Sequence, residues 1–287
     1  MTINDYETLV GCPAILEGLW KNVPPDKYHR EGAGLSRSMA QTLVFQSPLH
    51  MRWEQDNPKD ETKAMRLGSL VHLACLDPAK LKGSYYVRPE TYPNNGDEKP
   101  WHHSALWCRQ WLTDHSDRPV VTVDDEMLML GCVLSLHTHP LVRSLISCGH
   151  AEVSAFSRHD NIRLRARPDL IATDDEGRIW VLDIKKCQDA STDGFTRHAR
   201  TYRLPFQQSW YRYVLSLIGI EVFQFLFVAV EEKPPHGVAV FKLDPMIVDS
   251  QNEAVHMAID IYTQCIESGK WPGYDETTRM ISWRTGT

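Results

Sequence analysis

The sequence predicts an α/β fold in which a central mixed sheet is flanked by helices and a mainly helical N-terminal half packs against it. Three observations carry that expectation. Before residue 150 the apolar residues recur at helical spacing, as in KAMRLGSLVHLACL, where Leu67, Leu70, Val71 and Ala74 share one side. From Glu152 onward short strand-like runs take over: AEVSAFSRH, RLRARPDLIAT and RIWVLDIKK. Further on, EVFQFLFVAV is continuously apolar and rich in Val and Phe, as a buried central strand would be. At 287 residues the chain is long enough to bury a full core.

Composition narrows the function classes. A net charge of −6 argues against a generally basic nucleic-acid binder, but not against positive charge gathered at one place. No apolar run reaches membrane-spanning length, since LIGIEVFQFLFVAV is interrupted by Gly219, Glu221 and Gln224. The stretch MTINDYETLVGC is acidic and has no basic segment before an apolar one, so a signal peptide is not expected and a cytoplasmic protein is. Cys12, Cys75, Cys108, Cys132, Cys148, Cys187 and Cys265 are scattered and never form a C-x-x-C pair. Reduced, mostly buried thiols are expected rather than disulfides or a zinc ribbon.

Residues 1–27 are weakly patterned, hold Pro13, Pro24 and Pro25, and are expected to form an N-terminal arm. Ser36 suits the N-cap of a helix running to about Phe45. Ser47 and Pro48 suit the cap and first position of the next helix. Residues 77–100 are expected to be a long irregular loop, and WHHSALWCRQWLTDH a helix whose His102 and His103 form a solvated start. VVTV suggests a short strand, and two helices follow, broken near Pro140. After the strand-like runs come helices over FTRHARTYR and PFQQSWYRYVLSLIG. EVFQFLFVAV then pairs with GVAVFKL, a helix spans Asp244 to about Gly269, and the tail is irregular. The expected organisation is an arm over 1–27, one domain over 28–275 (a helical half to 150, an α/β half after it) and a tail over 276–287.

The chemistry is concentrated between Arg163 and Lys186. Asp169 sits near the end of one strand-like run, and Asp183 and Lys185 lie two apart in the next, hence on one face. Two carboxylates and an ammonium converge there. From these residues alone two readings stay open: a cross-strand salt bridge at a sheet edge, or a divalent-metal site with a lysine beside it. Pro168-Asp169 followed by Asp183-Ile184-Lys185 is a PD-(D/E)-x-K pattern, which is weak by itself. A glutamate-bearing strand before it (Glu152) and a later helix with Gln207 and Tyr211 on one face add context. His72 lies beside an apolar helical stripe, where a lone histidine is usually a satisfied core residue. Arg158, Arg163, Arg165, Arg167, Lys186, Arg197, Arg200, Arg203 and Arg212 surround the pattern. They fit either a solvated face balanced by Asp174, Asp175 and Glu176 or a track for phosphates. Ser36 and Arg37, at a helix start, suit a terminal phosphate.

Several separated stretches resemble one family in the same order: YHREGAGLSRS, LGSLVHLACLDP, GHAEVSAF, RARPDL, VLDIKK and FQQSWY. They are similar to the C-terminal nuclease domain of the RecE (exonuclease VIII) family, in the RecB-like branch of the PD-(D/E)xK superfamily. The resemblance spans roughly residues 28 to 275. It implies a PD-(D/E)xK nuclease core and a Mg²⁺-dependent exonuclease that degrades linear duplex DNA from the 5′ end, leaving a 3′ single strand for recombination by strand annealing. It further implies metal ligands at His72, Asp169, Asp183 and the backbone carbonyl of Ile184. Lys185 would contact the attacking water or the scissile phosphate, Glu152 would support the site, and Gln207 and Tyr211 would hold the DNA backbone. Ser36, Arg37, Arg165, Arg167, Lys186, Arg197, Arg200 and Arg203 are the expected DNA contacts. Mn²⁺ is expected to substitute for Mg²⁺, because imidazole is a softer ligand than Mg²⁺ usually takes. The resemblance also implies a ring-like homo-oligomer, a tetramer, and a RecT-like single-strand annealing partner. This chain departs from the family where Lys186 and Cys187 follow the lysine.

Two other readings compete. One stays in the superfamily, as an endonuclease or an exonuclease with an iron–sulfur cluster; the cluster is disfavoured because only Cys265 follows the nuclease core. The other is a DNA-binding module that has lost catalysis, against which the intact Asp169, Asp183 and Lys185 speak.

Overall fold

In a computed structural model of the chain, which describes residues 1–8, 16–29, 33–58 and 60–278, the strands fall mainly into two sheets. In chain order the principal elements begin with β1 (Ile3–Asp5), β2 (Gly18–Lys21), α1 (Arg37–Phe45), α2 (Pro48–Asp56), α3 (Lys63–Leu76), α4 (Val123–Thr138) and α5 (Pro140–Cys148). Five strands follow: β3 (Gly149–Ala151), β4 (Ser154–His159), β5 (Ile162–Ala166), β6 (Leu170–Thr173) and β7 (Ile179–Cys187). The chain continues with α6 (Thr192–Thr201), α7 (Leu204–Ser216), β8 (Val222–Glu231), β9 (Val238–Phe241) and α8 (Asn252–Ser268).

The larger sheet is mixed, with strand order β9-β8-β7-β6-β3. Its centre is the parallel pair β7 and β8, in which Asp183 lies opposite Phe227 and Ile184 opposite Val228. Helices cover both faces. On one face Val181, Phe225, Phe227 and Ala229 pack with Leu43 of α1, Phe206, Trp210 and Val214 of α7, and Ile259 of α8. On the other, Leu182, Ile184, Leu226 and Val228 pack with Leu67, Leu70 and Val71 of α3 and with Met129 and Leu136 of α4. The apolar stripe of α3 thus faces the sheet, and the helical N-terminal half supplies one of its covering layers.

The smaller sheet has the order β1-β2-β4-β5. It corrects the expected N-terminal arm: β2 pairs with β4, and Leu19 and Trp20 are buried. Two strands of three and four residues are too short to announce themselves by alternation. Cys12 and Pro13 lie outside the described residues. Gly34, at φ +110°, brings Leu35 beside β5, where Leu35 N–H donates to the Arg163 carbonyl at 2.8 Å. A side chain at residue 34 would stand 2.7 Å from that carbonyl oxygen, so only glycine fits.

Two expected strands each divide between the sheets. AEVSAFSRH breaks at Glu152-Val153 into β3, which joins the larger sheet, and β4, which joins the smaller. RLRARPDLIAT breaks at Arg167–Asp169 into β5 and β6 in the same way; Pro168 has no N–H to give to a ladder. The crossings lie side by side, since Glu152 N–H donates to the Asp169 carbonyl at 3.0 Å. Residues 77–100 are also more ordered than expected. They include a short helix, Pro78–Leu81, and a hairpin of Thr91–Asn94 with Asp97–Pro100. Its turn, Asn95-Gly96, has φ +52° and +91°, the positive pair that Asn-Gly favours in two-residue hairpin loops. The last expected helix is interrupted, with Pro245–Asp249 preceding α8.

Helix starts follow the sequence closely. Ser36, Ser47, Thr62 and Thr122 each accept a backbone N–H at the first turn of α1, α2, α3 and α4. The six described cysteines are free thiols, five buried and Cys148 exposed. Among the described residues no helix is long and apolar enough to cross a membrane.

Candidate metal centre and active site

The site begins where a ladder stops. β6 pairs with β7 only as far as Leu170 opposite Leu182, so beyond Leu182 this edge of β7 has no strand to bond. Side chains take over for Ile184. Its N–H donates to Asp169 Oδ2 at 2.6 Å, and its carbonyl oxygen lies 2.9 Å from His72 Nε2. The other imidazole nitrogen, Nδ1, lies 3.4 Å from Asp169 Oδ1. His72 reaches this point because α3 packs its Leu67, Leu70 and Val71 on the same face of the sheet as Ile184.

These donors fit a divalent cation. Neighbouring ligands around an octahedral ion with bonds of about 2.1 Å stand about 3 Å apart. The Ile184 carbonyl oxygen and His72 Nε2, 2.9 Å apart, have that spacing. Glu152 completes a group with His72 and Asp169 whose ligand atoms all lie within 4.8 Å of one another. Glu152 sits at the sheet crossing with φ +51°, a conformation that non-glycine residues adopt at some cost and that turns its side chain toward the cluster. The set is mostly hard oxygen with one imidazole, which suits Mg²⁺ or Mn²⁺.

Electrostatics agree with that chemistry. Burial pushes the Asp169 carboxyl up to about 7; His72 and Lys185 oppose the shift, while Asp183 and Glu152 add to it. Glu152 is exposed as a residue, yet loss of water around its carboxyl, which lines a cleft, raises its pKa. The cleft is about 410 Å³ and is lined by Ser69, His72, Leu73, Lys80, Glu152 and Arg167, among others.

On the opposite face of β7 stands Asp183, 1% exposed. Its Oδ2 accepts from Gln207 Nε2, and its Oδ1 forms an ion pair with the Lys185 ammonium. Oδ1 is buried, with the Lys185 ammonium as its charged neighbour. The salt bridge and the cluster of potential ligands therefore coexist. Gln207 Oε1 in turn accepts from the Arg37 guanidinium at 2.7 Å, and Arg37 also donates to Gln41 Oε1 at 3.1 Å. This link across 170 residues was not foreseen, and no local spacing signals it.

Several expected DNA contacts prove to be internal. Gln207 is buried against Asp183 and Arg37. The Tyr211 hydroxyl donates to the Arg167 carbonyl at 3.2 Å, just before the Pro168-Asp169 turn, so it braces that turn. Arg165 is 4% exposed, donates to the Tyr28 carbonyl and lies over the Tyr28 ring. Arg167 lies 3.9 Å over the same ring and bonds Ser154 Oγ and the Val23 carbonyl. Lys186 is ion-paired with Glu232, its side chain 10% exposed. Cations buried or paired in this way are committed first to the protein's own carbonyls, hydroxyls and carboxylates. Arg37 is likewise engaged, while Ser36 Oγ caps α1 by accepting from Met39 N–H at 3.4 Å.

The outward cations are Arg197, Arg200 and Arg203, on and just after α6. Arg197 makes an exposed pair with Asp189, and Arg203 lies over Phe45. Of the other arginines, Arg158 pairs with Glu17 and Arg212 donates to the Val222 carbonyl. His102 and His103 are exposed, ahead of a helix over Leu106–Asp114.

Residues 42–282 match the model of a family described as a PDDEXK-like domain of unknown function (DUF3799). No curated protein matches the sequence. Among solved structures, one from Eubacterium rectale described as a "Putative exonuclease" superposes with a TM-score of 0.59 at 11% identity. That match covers 92% of this chain and 96% of the other. A phage related exonuclease from Haemophilus somnus 129PT matches with a TM-score of 0.35 at 12% identity, covering 83% of this chain and 96% of that one.

Proposed function

Since the chain belongs to the PDDEXK-like family (DUF3799), we propose that it is a Mg²⁺-dependent exodeoxyribonuclease that degrades linear duplex DNA from 5′ ends and leaves 3′ single strands. The observation that carries this reading is the meeting of His72, Asp169, the Ile184 carbonyl, Asp183 and Lys185 around a few residues of β7. His72, Glu152, Asp169, Asp183 and the Ile184 carbonyl are the residues that would hold the cation. Bound there, it would supply Lewis acidity toward the phosphate and lower the pKa of water.

The chain's own groups divide the remaining work. The Ile184 N–H holds the Asp169 carboxylate at the end of the sheet. Gln207 holds Asp183. Lys185, with 21% of its side chain exposed, offers an ammonium to a phosphate oxygen as negative charge builds on it. Arg197, Arg200 and Arg203 supply phosphate contacts beside the site, and Ser36 a hydroxyl at the start of α1. The resemblance to the RecE family supports the remaining parts of the reading: a homo-oligomeric ring, a tetramer, acting in the cytoplasm on DNA ends with a RecT-like annealing partner.

The test uses linear and covalently closed duplexes in Mg²⁺, labelled at either strand end. Digestion of the linear duplex alone, with early loss of a 5′ label, is the expected result. Cutting of the closed circle would establish an endonuclease instead. No digestion of either substrate in Mg²⁺ or Mn²⁺ would leave a DNA-binding module.

A further inference from the structure

The Gln207 amide is held at both ends. Its Oε1 accepts from Arg37 at 2.7 Å, and its Nε2 donates to Asp183 Oδ2. A guanidinium can only donate and an ionised carboxylate can only accept, so together they admit one orientation of the amide. Turned over, the amide would set its oxygen against the carboxylate and its NH₂ against the guanidinium. Gln207 is 2% exposed, so solvent cannot take over either contact cheaply. Arg37 is itself steadied by Gln41, one turn along α1. The start of α1 is anchored to β5 through Leu35 and Arg165 backbone bonds of 2.8 and 2.9 Å.

We infer that Arg37 is a positioning residue that acts through Gln207 on Asp183. It keeps Oδ2 engaged, so that Oδ1 stays turned to Lys185 and to an incoming divalent cation. The inference rests on the metal-dependent reading of the site. It assigns Arg37 to the site's internal scaffold rather than to the DNA surface. It also explains why an arginine stands there, since the fork spans Gln41 and Gln207 at once and an ammonium does so less well.

The test is a double-mutant cycle in the full chain with Arg37→Ala, Gln207→Leu and both. Mn²⁺ affinity is read by calorimetry, and binding of a linear duplex is read in chelator across a salt series. Arg37→Ala should weaken Mn²⁺ binding about tenfold, as loss of a partner behind a metal ligand does. Gln207→Leu should cost as much or more, and the double variant no more than Gln207→Leu alone. Duplex affinity and its salt slope should keep the wild-type values. Unchanged Mn²⁺ affinity in Arg37→Ala would overturn the inference, as would full additivity with Gln207→Leu. So would weaker duplex binding with a salt slope smaller by about one, which marks a phosphate contact. Should Arg37→Ala fail to fold, Arg37→Lys takes its place in the same cycle. A wild-type chain that binds no Mn²⁺ at all would sink the metal-dependent reading, and this inference with it.

Discussion

The two carboxylates of the site are held in opposite ways. Asp183 meets Lys185 and Gln207, so the protein's own groups already offset part of its charge. Asp169 meets one backbone N–H and an imidazole, with Glu152 close by, and its carboxyl is pushed up to about 7 by burial. One side of β7 is largely offset in advance; the other keeps a carboxyl whose charged form burial disfavours and a divalent cation would stabilise. The difference arises from what covers each face. α7 brings an amide to Asp183 and α1 braces that amide with a guanidinium, whereas α3 brings a single histidine to Asp169.

The largest expected effect removes the compensated side. Asp183→Ala should lower the rate of duplex digestion by at least about a thousandfold, the scale seen when a group acting only in the transition state is lost. The circular dichroism spectrum should stay native; surviving activity would mean that the reacting centre lies elsewhere. His72→Ala, on the other side, should weaken Mn²⁺ binding by roughly 10–100-fold in calorimetry. Equal Mn²⁺ affinity in that variant would return His72 to the role of a core histidine bonded to Ile184.

A stability measurement sharpens the contrast. With Asp169 raised from 3.8 to about 7, the native state binds more protons than the unfolded state between those values. Stability in chelator should therefore fall as pH rises through that window, with the full cost present above about pH 7 and none below about pH 4. Asp169→Asn escapes this cost. It should match or trail the wild type near pH 4 and exceed it by roughly 2–4 kcal/mol at pH 8 in urea unfolding. A gap independent of pH would show that the carboxyl is not held up in this way. Mn²⁺ should stabilise the wild type more than this variant.

Smaller effects separate scaffold from DNA surface. Arg165→Met should destabilise the fold by about 1–3 kcal/mol, because it leaves the Tyr28 carbonyl without its donor, and should leave the salt slope of duplex binding unchanged. Arg200→Ala should do the reverse, with stability within about 0.5 kcal/mol and a salt slope smaller by about one. Tyr211→Phe should lose about 1 kcal/mol through the Arg167 carbonyl and change the affinity for duplex little. A large affinity loss in that variant would restore the hydroxyl to the DNA backbone.

Much of the fold is local and was legible from the chain alone. The extent of α3 and the division of α4 from α5 follow from hydrophobic spacing and Pro140. The apolar run of β8 marks a central strand because both of its faces are covered. The pairing of Asp183 with Lys185 follows from strand alternation within three residues. The short strands β1 and β2, and the splitting of two strands between the sheets, were not legible. A three-residue strand has no periodicity to detect, and the path from one sheet to another depends on which partner is already in place.

The sequence by itself determined the residue types of the site and the secondary elements that carry them, because caps, spacing and alternation act over one or two turns. Only the tertiary structure decided which groups meet. His72 and Ile184 are 112 residues apart, and Arg37 and Gln207 are 170 apart. Such contacts exist because helices pack on defined faces of a sheet, and no short-range pattern encodes that choice. The same packing turned Arg165, Arg167 and Lys186 inward, since a cation's position in the chain does not say whether its donors face water or a buried carbonyl.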